Sequence, residues 1–298
     1  EEGFYAKQES PSPQAVPAAG EPTISRPLAR LLLEAGCRVT GCDRTDREKL
    51  DREVLDLEEQ GLELRLGAGY LENLEADVVF RTPGMHPANP ALEALRRRGA
   101  AVTSEMEIFF QVCPCPVIAV TGSDGKTTTT TLLAEMLRAA GKTVWVGGNI
   151  GKPLLPEVGR MAPSDWAVVE LSSFQLMDMD RSGHIAVVTN LAPNHLDVHK
   201  DMAEYVAAKE NIFRYQRPGD IAVFNQDNDI TRQQALRAVG AVRLFSRRSE
   251  PEEGVFLRGE DILCRHNGQE RRINLPAKGS KTFAVVPAQV SAAPFEIA

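Results

Sequence analysis

The 298-residue sequence predicts an α/β protein with mostly parallel sheets, divided between two domains. Short apolar runs recur along the chain, each followed by a charged or amphipathic segment of helical period. The length exceeds one minimal domain and suits two. A 43% apolar content is enough to build proper cores, which excludes wholesale disorder.

Residues 1–23 are polar and rich in Pro, Ala and Ser, and are expected to form an atypical, disordered lead with no strand. They also lack the apolar stretch of a secretory leader. A first domain is expected over 24–113. Residues 27–35 read as a helix, with Pro27 tolerated in the first turn and Gly36 as the stop. A short strand at 38–41 runs to Asp43, a charged helix spans 46–60, and 62–66 is a second strand. Residues 77–80 form a buried strand closed by Thr82-Pro83-Gly84, and 90–98 a helix. This alternation describes a small doubly wound, Rossmann-like domain. Cys113-Pro114-Cys115-Pro116 reads as its stiff exit linker.

The central domain is expected over 114–275. Its strands fall at 117–120, 143–146, 166–170, 185–189 and 221–224, and its helices at 126–140, 202–215 and 231–239. From Val242 onward, the short pieces 255–257, 262–264 and 272–275 predict a small antiparallel addition. The tail, 276–298, reads as neither helix nor strand series.

Composition narrows the function. With 34 basic and 41 acidic residues the net charge is −7, which argues against a nucleic-acid footprint. The runs Arg96-Arg97-Arg98 and Arg247-Arg248 read as solvated faces. Five irregularly spaced cysteines fit a reduced, cytoplasmic chain. Cys113-Pro114-Cys115 is not a C-x-x-C motif, and no second pair supports a zinc site. No apolar run approaches the ~18–20 residues of a membrane span, so no membrane partner is expected.

The chemistry begins at Val117-Ile-Ala-Val-Thr121, an apolar run that feeds Gly122-Ser123-Asp124-Gly125-Lys126-Thr127-Thr128 and then a long helix. Strand, glycine-bracketed turn, Lys-Thr and helix follow in the order of a phosphate-binding loop. The glycines let backbone N–H groups turn toward phosphate oxygens at the positive end of the helix. Lys126 can reach β- and γ-phosphates, and the Thr127 hydroxyl can hold magnesium. The spacing is shortened, since Val120 stands where the first glycine of the common form would fall. A bound nucleoside triphosphate is expected.

Glu170 closes an apolar strand, where ligands collect in an open parallel sheet. Taken alone it could equally be a strand-end carboxylate satisfied by water, with Ser172 or Ser173 capping a helix, but beside the loop it is read as a magnesium ligand. His195 and His199 follow another strand, but the intervening acid, Asp197, is misplaced for H-E-x-x-H and Pro193-Asn194 favours a loop, so a zinc peptidase is excluded. His195 is expected to bind magnesium or phosphate, and His199 to be a surface or capping residue. Spacing leaves Lys209 a snorkelling surface cation. Asn149, on the turn 147–151, fits a left-handed turn position or a site contact.

Five segments together, TGSDGKTT (121–128), GGNIG (147–151), ELSSFQL (170–176), NLAPNHLDVH (190–199) and YVAAKENIF (205–213), resemble the Mur ligases, ATP-dependent amide-forming enzymes of peptidoglycan synthesis. RTPGM (81–85) and SEMEIF (104–109) match their first domain, and the similarity covers about residues 24–275. ELSSFQL with NHLD points to the branch that joins D-glutamate to UDP-N-acetylmuramoyl-L-alanine, and weighs against a folylpolyglutamate synthetase.

The resemblance implies ATP and Mg2+ as cofactors. ATP phosphorylates the alanyl carboxylate, and the amine of D-glutamate displaces phosphate from the acyl phosphate. It implies that Gly122 to Thr128 hold the phosphates, that Thr127 and Glu170 bind one magnesium ion, and that His195 binds a second. Lys209 matches a lysine that becomes a carbamate and faces magnesium. Lys126, His195 and Lys209 are thus the catalytic candidates. Asn149 and Ser172 would meet the muramoyl substrate, and Asp43, Arg44 and Gly84 the uridine diphosphate. A cytoplasmic monomer is expected.

Two departures qualify this. The family's first strand and glycine loop should precede Ser25, which leaves the uridine diphosphate domain incomplete by this reading. Lys-Gly-Ser-Lys-Thr stands where the family continues toward its third domain, so the C-terminal ligase domain is expected to be absent. The alternative that follows is an ATP-binding fragment that is catalytically incompetent.

Overall fold

The computed structural model describes residues 14–18, 25–193 and 199–273. They fold as two compact units, one reaching Val112 and including Pro153–Arg160 and Ser173–Asp180, the other formed by Cys113–Lys152, Met161–Ser172 and the chain from Arg181. Among the described residues no helix is long and apolar enough to cross a membrane.

In the first unit, β1 (Gln14–Ala18), α1 (Arg26–Glu34), β2 (Arg38–Asp43), α2 (Arg52–Glu59), β3 (Glu63–Leu66), β4 (Val78–Arg81), α3 (Pro90–Arg97), β5 (Ala101–Thr103) and α4 (Glu105–Val112) follow in order. The sheet runs β3-β2-β1-β4-β5 and is parallel throughout. Parallel sheets are covered on both faces, and the core shows it. Val39 packs with Ala29, Val54, Leu57 and Leu62. Three residues on, Cys42 points to the opposite face with Leu74, Val79 and Leu92. Gly36, at φ +77°, lies just past α1, a backbone position that suits glycine at a helix end.

The central position of β1 corrects the expectation that residues 1–23 supply no strand. Pro17 and small residues hide it, because strand formation here depends on pairing more than on propensity. Pairing with β2 stops at Ala15, and the rest of β1 runs beside β4 alone, which leaves Pro17, with no N–H, outside the β2 ladder.

The second unit continues with β6 (Val117–Thr121), α5 (Lys126–Ala139), β7 (Val144–Gly148) and β8 (Trp166–Glu170). The short helix α6 (Ser173–Leu176) belongs to the first unit. There follow β9 (Ile185–Val188), α7 (Met202–Arg214), β10 (Ile221–Asn225), α8 (Asp229–Ala235), β11 (Ala241–Ser246), β12 (Gly254–Arg258), β13 (Asp261–His266) and β14 (Gln269–Ile273). The sheet order is β14-β13-β12-β11-β10-β9-β6-β8-β7. The expected antiparallel addition is formed by β12, β13 and β14, which pair antiparallel in turn. It joins the parallel sheet through β12, which runs parallel to β11 on its other side.

Chain direction across this sheet positions the site. From β6 the chain passes to the edge at β7, returns to β8, then crosses β6 to reach β9. The carboxyl ends of β8, β6 and β9 therefore lie side by side at the reversal point, where open α/β sheets bind ligands.

Candidate phosphate-binding site

Strand β6 is buried along its length and delivers Gly122 into contact with β9's exit. A Cβ on Gly122 would strike the Thr189 hydroxyl, so no other residue fits there. The loop is gripped by the segment after β9. Asn190 Nδ2 donates to the Asp124 carbonyl while Asn190 Oδ1 accepts from the Asp124 N–H, each at 3.1 Å. Thr189 Oγ1 donates to the same carbonyl at 2.7 Å. Ser123 Oγ donates to the Ala192 carbonyl and accepts from the Ala192 N–H, both at 2.9 Å. Gly125, at φ +77°, caps α5 and turns the chain into the helix. Its N-terminus carries unpaired N–H groups and partial positive charge. Asp124, Gly125, Thr127 and Thr128 are exposed there, and Lys126 is half-buried with Nζ donating to the Ser123 carbonyl at 3.0 Å.

Glu170, 1% exposed, ends β8 beside the loop. Its two oxygens accept from Thr127 Oγ1 at 2.7 Å and from Asn149 Nδ2 at 2.9 Å. The Asn149 N–H also donates to the Glu170 carbonyl at 2.7 Å. Gly148, at φ +96°, lets β7 come this close, since a Cβ would overlap that same carbonyl. Of the two roles open to Asn149, the structure thus brings the side chain onto Glu170. Ser172, two residues past Glu170, is half-buried.

Lys209 overturns its surface reading. The α7 helix is capped by Asp201, whose side chain accepts from the Glu204 N–H, and its small residues Ala207 and Ala208 flank a lysine only 2% exposed. Lys209 Nζ donates to Thr121 Oγ1 at 3.0 Å and to the Gly122 carbonyl at 3.1 Å, 4.9 Å from the Tyr205 ring centre. The Thr121 hydroxyl in turn donates to the Leu171 carbonyl at 2.7 Å. Burial first, and then the charge of Lys126, pull the Lys209 amine down to about 7, against the attraction of Glu170. The Tyr205 hydroxyl donates to Ser123 Oγ at 3.0 Å.

His199 is also buried, edge-on to Tyr205 with ring centres 5.2 Å apart, and is neither a surface nor a capping residue. Packing against α7 accounts for it. His195 and the segment 194–198 lie outside the described residues. Thr121, Thr189, Asn190 and Tyr205 were not legible as site residues. Their only signal was position, at or just past the ends of buried strands or one helical turn before Lys209.

The first unit holds Asp43, Arg44 and Gly84 at the carboxyl ends of β2 and β4, the two neighbours of β1. Asp43 is buried, and its carboxylate accepts from the Thr45 N–H at 2.8 Å. The exposed Arg44 guanidinium lies 6.0 Å from the Tyr70 ring centre. Gly84 sits in an exposed turn closed by the Met85 N–H on the Thr82 carbonyl at 3.0 Å. Sequence reading missed Arg81. It is buried, with Nε on Asp178 Oδ2 at 3.1 Å and further bonds to the Met85 and Phe174 carbonyls.

Residues 120–285 match the Mur ligase middle domain. The chain belongs to the Mur ligase family. It is 49% identical over 238 residues to the UDP-N-acetylmuramoylalanine--D-glutamate ligase of Clostridium novyi (strain NT), aligned over 80% of this chain and 52% of that relative. The ligase of the same name from Acetivibrio thermocellus is 52% identical over 217 residues, 72% of this chain and 47% of the relative. The chain thus spans about half the length of these curated relatives. Among solved structures its fold is similar to the UDP-N-acetylmuramate:L-alanyl-gamma-D-glutamyl-meso-diaminopimelate ligase from Neisseria meningitides, with a TM-score of 0.57 and 20% identity over 90% of this chain and 89% of that one.

Mur ligases depend on ATP and usually on magnesium, and the donors here fit that ion. Thr127 and Glu170 offer oxygen only, at the mouth of the loop. Among the described residues no group of three or more His, Cys, Asp and Glu could form an all-protein cage. Magnesium ordinarily takes one or two protein oxygens and completes its shell with water and phosphate.

Proposed function

We propose that this chain supplies the nucleotide-binding and phosphoryl-transfer machinery of a ligase that joins D-glutamate to UDP-N-acetylmuramoyl-L-alanine, releasing ADP and phosphate. The observation that carries this reading is the linkage of Thr127, Glu170 and Asn149 at the N-terminus of α5, next to a buried Lys209.

A carboxylate is a poor electrophile because it lacks a leaving group. Transfer of the γ-phosphoryl group of ATP to the alanyl carboxylate forms an acyl phosphate and ADP. The amine of D-glutamate then attacks the acyl carbon, and phosphate leaves from the tetrahedral intermediate. What the protein must provide is charge neutralisation and alignment. The N–H groups at the start of α5, from Gly125 to Thr128, would meet the phosphates, since those of Ser123 and Asp124 already donate to Asn190. Lys126, half-buried on the Ser123 carbonyl, would leave it to meet the β- and γ-phosphates. Thr127 and Glu170 would hold magnesium, which neutralises charge on the phosphates when bound. Asn149 fixes one Glu170 oxygen and Thr127 holds the other, the pair of oxygens that would serve a metal ion.

Lys209, with its amine near 7, is substantially neutral at physiological pH. A neutral amine adds to carbon dioxide and loses a proton to give a carbamate, an anion suited to face a second magnesium ion together with His195. In the first unit Asp43, Arg44 and Gly84 offer an acceptor, a cation and an open turn to a uridine diphosphate, and Asn149 and Ser172 are the muramoyl contacts. The proposed setting is the cytoplasm, with the chain a monomer.

The test is ADP release with defined substrates. Release that requires UDP-N-acetylmuramoyl-L-alanine and rises on adding D-glutamate is the expected result. Release driven by a folate and glutamate instead would overturn the substrate assignment.

A further inference from the structure

Outside the site, one chemically active cluster stands at the point where the chain leaves the first unit. Cys113 and Cys115 place their sulfurs 3.6 Å apart across a bend at Cys115. All five cysteines of the chain are free thiols. Cys113 is half-buried and follows α4, whereas Cys115 is buried and lies two residues before β6. Pro114 between them is exposed.

We propose that Cys113 and Cys115 form a reversible dithiol–disulfide site. Sulfurs already in van der Waals contact must approach by only roughly 1.5 Å to reach the bonding distance of about 2.05 Å. The fixed φ of Pro114 limits how far the two thiols can drift apart in the reduced chain. The pair also divides the labour of exchange. The Cys115 thiol can donate to Cys113, which holds the Cys113 thiol below the usual range, while its neighbour and burial push Cys115 up. A more acidic, more accessible thiol beside a buried resolving thiol is the arrangement of redox-responsive cysteine pairs.

The oxidant is a low-molecular-weight disulfide of the glutathione class. The Cys113 thiolate attacks one of its sulfurs, the S–S bond breaks, and one thiolate leaves. Cys115 then gives up its proton and attacks the Cys113 sulfur, expelling the second thiolate and closing the ring. Two protein thiols are oxidised and one disulfide is reduced. The product ties residues 113 to 115 into a small ring immediately ahead of the strand that feeds the phosphate loop.

Trypsin isolates the site, because Gly99–Lys126 contains Cys113 and Cys115 and no internal Lys or Arg. The chain is equilibrated in mixtures of reduced and oxidised glutathione, quenched with iodoacetamide, digested and weighed. In oxidising mixtures this peptide is expected unalkylated and lighter by two hydrogen atoms, and dithiothreitol should restore the doubly alkylated form. Cys115→Ser should stop at a glutathione adduct on Cys113. A peptide that stays doubly alkylated in every mixture overturns the proposal. So does a wild-type chain that accumulates the glutathione adduct without closing the ring.

Discussion

The second sheet handles charge in opposite ways at its middle and at its outer edge. At the carboxyl ends of β6 and β8, Glu170 and Lys209 are buried, and their direct partners include the neutral groups of Thr127, Asn149 and Thr121. At the edge, the carboxylates of Glu250 and Glu270 pair in the open with Arg258 and Arg265, whose guanidiniums lie 5.3 and 4.8 Å from the ring centre of Phe256. The edge favours the charged forms, and Arg258 foremost draws Glu250 down to about 2. In the middle, desolvation disfavours the Lys209 ammonium and brings it to about 7. Surrounding solvent, more than the number of charges, decides which group can change state near neutrality.

The largest expected effect breaks binding without touching the fold. Lys126 is half-buried, with its amine on a single carbonyl, so Lys126→Ala should leave the urea midpoint nearly unchanged. MgATP affinity, read by calorimetry, should fall at least ~100-fold, as expected for a charge aimed at phosphate. Unchanged affinity would mean that Lys126 does not meet the phosphates.

Gly148→Ala should do the reverse, by striking the backbone that the middle is built on. The new Cβ meets the Glu170 carbonyl at a φ that disfavours alanine. A loss of about 2 kcal/mol in urea denaturation is expected, because strain and overlap combine. Asn149 and Glu170 should lose their alignment with it. A variant as stable as the parent would mean that β7 can yield at this point.

The two regions also differ in how far the sequence reveals them. The loop from Gly122 to Thr128 was legible, because strand, glycines, Lys-Thr and helix are contiguous and each constrains the backbone locally. Glu170 was legible as a strand-end acid, but its bond to Thr127 joins residues 43 apart. Lys209 could not be placed from spacing, since its bonds to Thr121 and Gly122 span nearly ninety residues and depend on how α7 packs against β6. β1 was invisible for a related reason, as its order comes from β2 and β4. At the edge, the short alternating pieces announced the hairpins, while the parallel pairing of β11 and β12 was set by long-range register.

A pH series sharpens the comparison at its centre. The Lys209 amine falls from 10.5 to about 7 on folding. Between those values the unfolded chain holds a proton that the folded chain has released, so stability rises with pH across that window and levels off below about 7. From pH 7 to 9 the gain should be on the order of 1 to 3 kcal/mol for this one group. Lys209→Met removes the titrating amine while keeping an unbranched chain, and its urea midpoint should lose this rise relative to the parent. An identical slope in both chains would show that Lys209 stays charged when folded.

The smallest effect belongs to the edge. Glu250 is drawn down by Arg258 and Arg265, so what it contributes is present above the ordinary carboxylate value of 4.5 and is lost as pH falls toward about 2. These groups are solvent-exposed, and water and salt screen them. Glu250→Gln should therefore leave the urea midpoint at pH 7 within the scatter between replicate curves, because Glu270 still bridges both arginines. The difference should appear as a shallower acid limb below pH 4.5, and 0.5 M sodium chloride, a roughly molar-scale screening that contracts the Debye length toward ~4 Å, should shrink it. A pH 7 shift as large as that of Gly148→Ala would erase the contrast, because the edge would then behave as a buried network whose partners water cannot replace.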